Sequence, residues 1–362
     1  MTRWLGAGLS TGSIASLTAG LLMTGIPPQQ QGDTTLTRFQ DWCERQETLS
    51  EAAKHTVSVL YEATGAESCK QAEAALLEQT QLNLERTGLS DLRPLATLPQ
   101  LTWLSLSVNE ITDLSPLKEL TQLESLFLDS NQISDLQPLS QLRSLKTLSL
   151  YDNQISDLQP LAQLSQLQSL SLYNNQISDI RPLGQLKTLQ TLSLMSNEVR
   201  DISPLEALTE LKWLSLGANQ IQNLAPLSEL KNLVWLALFQ NQITDITPIA
   251  TLPNLQMLSL GNNRIQDVVA LRSHPTLQEL LLFNNQISDA SPLQTLTHLN
   301  WLDLYNNQIT NVQMLETLDK LRWLDLRGNP LRDRTCPVTP PNVCRFSSDV
   351  ETMSLSTWIP SA

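Results

Sequence analysis

The sequence predicts an α/β solenoid. Coils of 22 residues stack side by side, each giving one short strand to a single parallel sheet and one short 3₁₀ or α turn to the opposite side. Three observations carry this. An asparagine recurs without insertion at Asn109, Asn131, Asn153, Asn175, Asn197, Asn219, Asn241, Asn263, Asn285, Asn307 and Asn329. Ahead of it stands Leu-x-x-Leu-x-Leu, whose mixed spacing of three and two fits neither a long helix nor a long strand. Seven residues after it comes a proline in most copies, from Pro116 to Pro248 and again at Pro292, which forbids continuous helix.

Length therefore counts coils and not domains. The 362 residues divide into a leader or anchor (1–32), a helical N-terminal cap (33–79), twelve repeats (80–331), and a C-terminal cap with a short tail (332–362). Thr87 replaces the asparagine in the first, degenerate copy. The 23 basic and 36 acidic residues give a net charge of −13, which repels polyphosphate and excludes nucleic acid as a natural partner.

Residues 1–32 open on Arg3 and carry no further charge until Asp33. They read as a removed secretory signal, with an uncleaved membrane anchor as the competing reading. In 33–79 the repeat register is absent. Thr48-x-x-Glu51 and Ser68-x-x-Gln71 fit capping boxes, and helices are expected near 36–46, 51–63 and 69–79. A cap of this kind covers the open apolar end of the stack. Cys43 and Cys69 lie in the N-terminal cap, Cys336 and Cys344 just past the last repeat. One pair per cap and none between reads as two disulfides in an oxidising compartment, against the alternative of four reduced thiols. No Cys/His cluster has zinc spacing.

Within a coil, the asparagine amide is expected to bond the backbone of adjoining coils in a buried ladder. The aspartate three residues before nearly every proline, as at Asp113 and Asp157, is expected to cap the turn and not to bind calcium. Proline is missing at Ala270 and Met314, where a kink or plain drift are both open. Three outward rows lie six, four and two residues before each asparagine. They hold Trp103, Phe127, Tyr151, Tyr173, Met195, Trp213, Trp235, Phe239, Met257, Phe283, Trp301, Tyr305 and Trp323. Eleven of the chain's 17 aromatics fall there, against about two for random placement. Large exposed aromatics among hydroxyl groups have the composition of a ligand-binding face. Gly217 and Gly261, beside Trp213, Trp235 and Phe239, are expected to leave a depression that would serve as an anchor pocket. Asp303, Asp325 and Arg327 form the one charged group on these rows near the C-terminal end.

Leu167–Leu186, LQSLSLYNNQISDIRPLGQL, resembles the 22-residue leucine-rich repeats of bacterial internalins over about 250 residues. Gly328–Phe346 resembles a cysteine-bearing leucine-rich-repeat C-cap, and the cap with Asp41–Cys43 resembles that of cyanobacterial internalin-like proteins. The resemblance implies a horseshoe with its sheet on the concave side and its turns on the convex side. It also implies a non-enzymatic module that binds a protein or peptide and is secreted, periplasmic or at the cell surface. A glycan ligand, or an intracellular scaffold resembling the leucine-rich regulatory subunit of protein phosphatase one, are the alternatives. No catalytic constellation, cofactor site or metal site is read in the sequence, and contact with a membrane is expected only through an uncleaved anchor.

Overall fold

The computed structural model describes residues 36–346. The leader and tail expectations for 1–32 and 347–362 lie outside the described residues. Three helices open the described chain: α1 (Phe39–Glu44), α2 (Glu51–Thr64) and α3 (Cys69–Glu78). The sequence places the start of α2 correctly but assigns the wrong cap. Ser50, and not Thr48, accepts from the Ala53 N–H (3.2 Å), while the Thr48 hydroxyl donates to the Arg45 carbonyl (2.8 Å). At α3 the expected pair is present: Ser68 Oγ accepts from the Gln71 N–H (3.3 Å), and Gln71 Oε1 accepts from the Glu67 N–H (3.2 Å). Cys43–Cys69 and Cys336–Cys344 are the two disulfides, one in each cap as the cysteine positions suggest.

Twelve three-residue strands follow at the repeat spacing, from β1 (Gln81–Asn83) to β12 (Trp323–Asp325). Each pairs in parallel with the next in unshifted register, Trp213 against Trp235 and Leu214 against Leu236 for example. A thirteenth strand, β13 (Cys344–Arg345), lies beyond the twelve that the repeats predict; the C-terminal cap lays it against β12, Leu324 opposite Cys344. Its signal was hidden because the cap abandons the leucine pattern. The backbone of β13 satisfies the edge that β12 would otherwise expose, the Leu326 N–H donating to the Arg345 carbonyl (2.9 Å).

Every coil buries its repeated Leu and Ile side chains, and those of both caps join one continuous core. The asparagine ladder is present. Asn219 Nδ2 donates to the carbonyls of Leu194 (2.9 Å), Leu216 (3.1 Å) and Gly217 (3.1 Å), and its Oδ1 accepts from the Val199 N–H (2.9 Å). One amide thus satisfies turn groups of two coils that no water reaches. In the first coil the Thr87 hydroxyl keeps one of these bonds, to the Leu84 carbonyl (2.7 Å).

The aspartate row caps as expected, in a specific geometry: Asp157 Oδ1 accepts from the Gln159 N–H (2.8 Å), two residues on and just before the proline. Asn223 and Asn311 do the same for Ala225 (2.9 Å) and Gln313 (3.0 Å). The coils lacking proline keep the same 3₁₀ turn, at Val269–Ser273 and Gln313–Thr317, so those breaks produce no local rearrangement. The break at Ala270 does coincide with a substitution in the core. His274 sits where neighbouring coils have Leu252 and Leu296, and it is fully buried. The missing proline beside it stands out in the sequence, and the buried position does not.

Candidate recognition face

A three-residue strand turns its middle residue inward and its outer two outward. In Trp213–Ser215 and Trp235–Ala237 the central leucines are fully buried, while Trp213 is 39% exposed. All thirteen candidate side chains lie on the outward side and are at least partly exposed. The sheet holds them in neighbouring coils, where they meet in pairs. Trp103 and Phe127 have ring centroids 5.5 Å apart, Tyr151 and Tyr173 6.3 Å, Trp213 and Trp235 5.9 Å, and Trp301 and Trp323 4.8 Å with near-parallel planes. Mutual cover of this kind lowers the cost of exposing the rings without removing them from solvent.

The expected depression at the two glycines is filled. A Cβ on Gly217 would stand 2.5 Å from the Phe239 ring, and one on Gly261 would stand 2.3 Å from the Phe283 ring. Each ring of the following coil lies over the glycine before it, so these glycines seat aromatics instead of opening a pocket. Among the described residues, a hollow of about 640 Å³ lies on the turn side, around Gly184, Ser203, Pro204 and Glu206, away from these rows.

Charge on the face collects at its C-terminal end. Arg327 clamps Asp325 (2.6 Å) and lies over the Tyr305 ring (5.4 Å), while Arg345 of β13 lies over Trp323 (4.6 Å). Asp303, opposite Asp325, accepts from the Tyr305 N–H (2.9 Å). Burial, with help from the Asp325 charge, pushes its carboxyl up to about 7, against the Tyr305 N–H and Arg327. Burial also raises Glu279, whose Oε2 has no hydrogen-bond partner. Nearer the N-terminus Asp129 is raised by burial even though it accepts from the hydroxyls of Ser149 and Ser107 (3.1 Å) and the Tyr151 N–H (3.0 Å). Among the described residues no cluster of three metal-ligating side chains occurs, and no helix is long and apolar enough to cross a membrane.

This strand, turn and asparagine unit, repeated and capped, defines a leucine-rich-repeat solenoid. The family of Leucine Rich repeats (2 copies) matches residues 99–141, 143–185, 231–273 and 275–317. Among solved structures, internalin InlF from Listeria monocytogenes is 34% identical, with a TM-score of 0.74 over 76% of this chain and 82% of that one. Internalin C2 from the same organism is 39% identical, with a TM-score of 0.54 over 56% of this chain and 91% of that one. A plant peptide hormone receptor in complex with RGF2, 20% identical, shares the fold with a TM-score of 0.57 over 72% of this chain and 49% of that one. No curated protein sequence matches. The chain belongs to the internalin family of leucine-rich repeat proteins. These comparisons indicate no catalytic family.

Proposed function

We propose that the protein is a non-enzymatic recognition module that binds a protein or peptide through the aromatic strand face, from Trp103 to Trp323. The observation that carries this is the excess of aromatics on a side that the core does not need. Trp213 and Tyr305 stay 39% and 38% exposed although the same strands bury their leucines completely. The fold it shares with a plant peptide hormone receptor is in keeping with that role. The disulfide in each cap and the similarity to Listeria internalins favour a secreted, periplasmic or surface location over the phosphatase-scaffold alternative. The Asp41–Cys43 cap is the feature that favours the cyanobacterial kind.

The test is affinity capture by wild type and by a Trp213/Trp235/Phe239→Ala variant from the medium or envelope of the native host. Wild type alone should retain a specific partner. Equal recovery by a variant that remains folded would overturn the reading. Denatured protein from that host should titrate no free thiols; finding four would refute the exported location.

A further inference from the structure

The strand face has relief as well as aromatic character. Its middle row reads Ser149, Ser171, Ser193, Ser215, Ala237 and Ser259 over six consecutive strands. All six are buried or half-buried. One flanking row stands taller throughout, with Tyr151, Tyr173 and Met195 followed by Phe239 and Phe283, whose rings lie over Gly217 and Gly261; the other is low at Thr147, Ser169 and Thr191 and tall at Trp213, Trp235 and Met257. Larger side chains stop the floor at both ends: Phe127, packed on Trp103, and Leu281. The result is a trough with one wall over its first three coils and two over its last three.

Small residues alone would call for nothing beyond close packing. The hydroxyls say more. Ser259 is 5% exposed on the outward side of its strand, and its Oγ has no hydrogen-bond partner. That oxygen is itself covered, so the hydroxyls open to a ligand are those of the half-buried serines beside it. The hydroxyls of Ser171, Ser193 and Ser215 also meet no protein partner among the described residues, whereas Ser149 donates to Asp129. From Thr147 to Gly261 no position in the three rows is charged at neutral pH, and carboxylates stand beyond both ends, Asp129 at one and Glu279 and Asp303 at the other.

We infer that the trough holds one extended, uncharged stretch of a partner polypeptide, its backbone on the serine floor and its side chains against the aromatic walls. This rests on the recognition reading above. Six strands at about 4.8 Å spacing span about 24 Å, the length of about seven extended residues. An extended chain offers an N–H and a carbonyl at every residue, which suits a row of hydroxyls that both donate and accept. The carboxylates at either end favour lysine or arginine just outside the seated stretch.

The probe is a displayed library of random peptides about twelve residues long, selected on the full chain and then measured against three variants. The Trp213/Trp235/Phe239→Ala variant trims the walls. Ser193→Phe and Ser215→Phe, tested singly at half-exposed positions, fill the floor and leave the walls intact. Circular dichroism and thermal melting confirm that each is folded. Enriched peptides should share an uncharged core flanked by basic residues, and each substitution should weaken them by about tenfold or more. Peptides that need the walls but bind both floor variants unchanged would overturn the trough and leave the recognition reading standing. Peptides that bind all variants alike would overturn both, and no enrichment at all would overturn the extended-peptide occupant alone. An oligosaccharide array that binds wild type and not Ser193→Phe, with no peptide enriched, would overturn the polypeptide occupant.

Discussion

Each strand of this protein presents two sides under opposite constraints. Inward, coil after coil repeats the same leucines and the same asparagine, since a core position is touched by the coils before and after it and one change disturbs both. Outward, the same register carries Ser169, Thr191, Trp213, Trp235, Met257 and Glu279 in succession, because solvent accepts any of them. Identity between copies marks what holds the stack together, and difference between copies marks what a partner could read.

The sharpest way to break that comparison is to cut one residue on each side of neighbouring strands. Asn219→Ala leaves the carbonyls of Leu194 and Leu216 and the N–H of Val199 without their buried partners. It should cost on the order of 3 kcal/mol or more in chemical denaturation. Trp213→Ala, on the outward side, should cost under about 1 kcal/mol. Equal losses would mean that the aromatic rows are structural after all.

His274 is the inward exception and the next largest effect. Its ring is fully buried, the Ile249 and Leu252 carbonyls face it, and neither ring nitrogen makes a hydrogen bond. Among the described residues no charged side chain acts on the ring. Burial holds its pKa below the usual 6.5. The protonated form is therefore disfavoured in the folded state, so stability is full above about pH 6.5 and falls as the pH drops below it. His274→Leu restores the repeat residue and should add about 2 kcal/mol at neutral pH. Melting temperatures from pH 7 to pH 5 should diverge further, wild type falling faster; parallel curves would show that the imidazole is not buried as described.

How much of this was legible in the sequence follows from the same division. The coil boundaries, the asparagine ladder, the capping aspartates and the pairing of cysteines by cap were readable because each is repeated or isolated, and repetition averages out local noise. Three features were not. The Ser50 cap is hidden because Thr48-x-x-Glu51 spells the full capping box while Ser50 is followed by Ala53, and only the backbone shows which one caps. Strand β13 carries no leucine pattern and is fixed by pairing with β12. The glycines at 217 and 261 suggested a hollow because a sequence shows what is missing from a position and not that Phe239 and Phe283 of the next coil reach back to cover it. His274 was readable in principle: counting 22 residues from Leu252 lands on it. The thirteen outward candidates all lie on one face, and their part in binding rests on experiment.

A smaller effect lies where the two sides meet. The residue just before each asparagine has a positive φ, which suits Asn174, Asn262, Asn284 and Asn306 and penalises a β-branched side chain. Val108 holds φ 59° there and is 37% exposed, so it gains little packing in return. Val108→Asn should stabilise the chain by about 1 kcal/mol. No change in melting temperature would mean that the packing of Val108 offsets its backbone strain.

A pH series tests whether the outward side is as indifferent to stability as that division requires. Asp303 stands outward, half-buried, with its carboxyl raised to about 7 chiefly by burial. A raised folded-state value means that the ionised form is the one the structure disfavours. Below about pH 4 the group is protonated whether the chain is folded or not, and its contribution is fully present. As the pH climbs from about 4 to about 7 the unfolded chain ionises and the folded one resists, so that contribution is lost. Asp303→Asn cannot ionise and keeps one acceptor for the Tyr305 N–H. Wild type should therefore lose melting temperature relative to the variant across this interval and then run parallel to it above. Curves parallel throughout would show that the carboxyl is hydrated and that the C-terminal end of the face is as open as its middle. A constant gap in favour of wild type would instead show that Asp303 is paired with a cation, and the outward side would then carry part of the stability assigned here to the inward one.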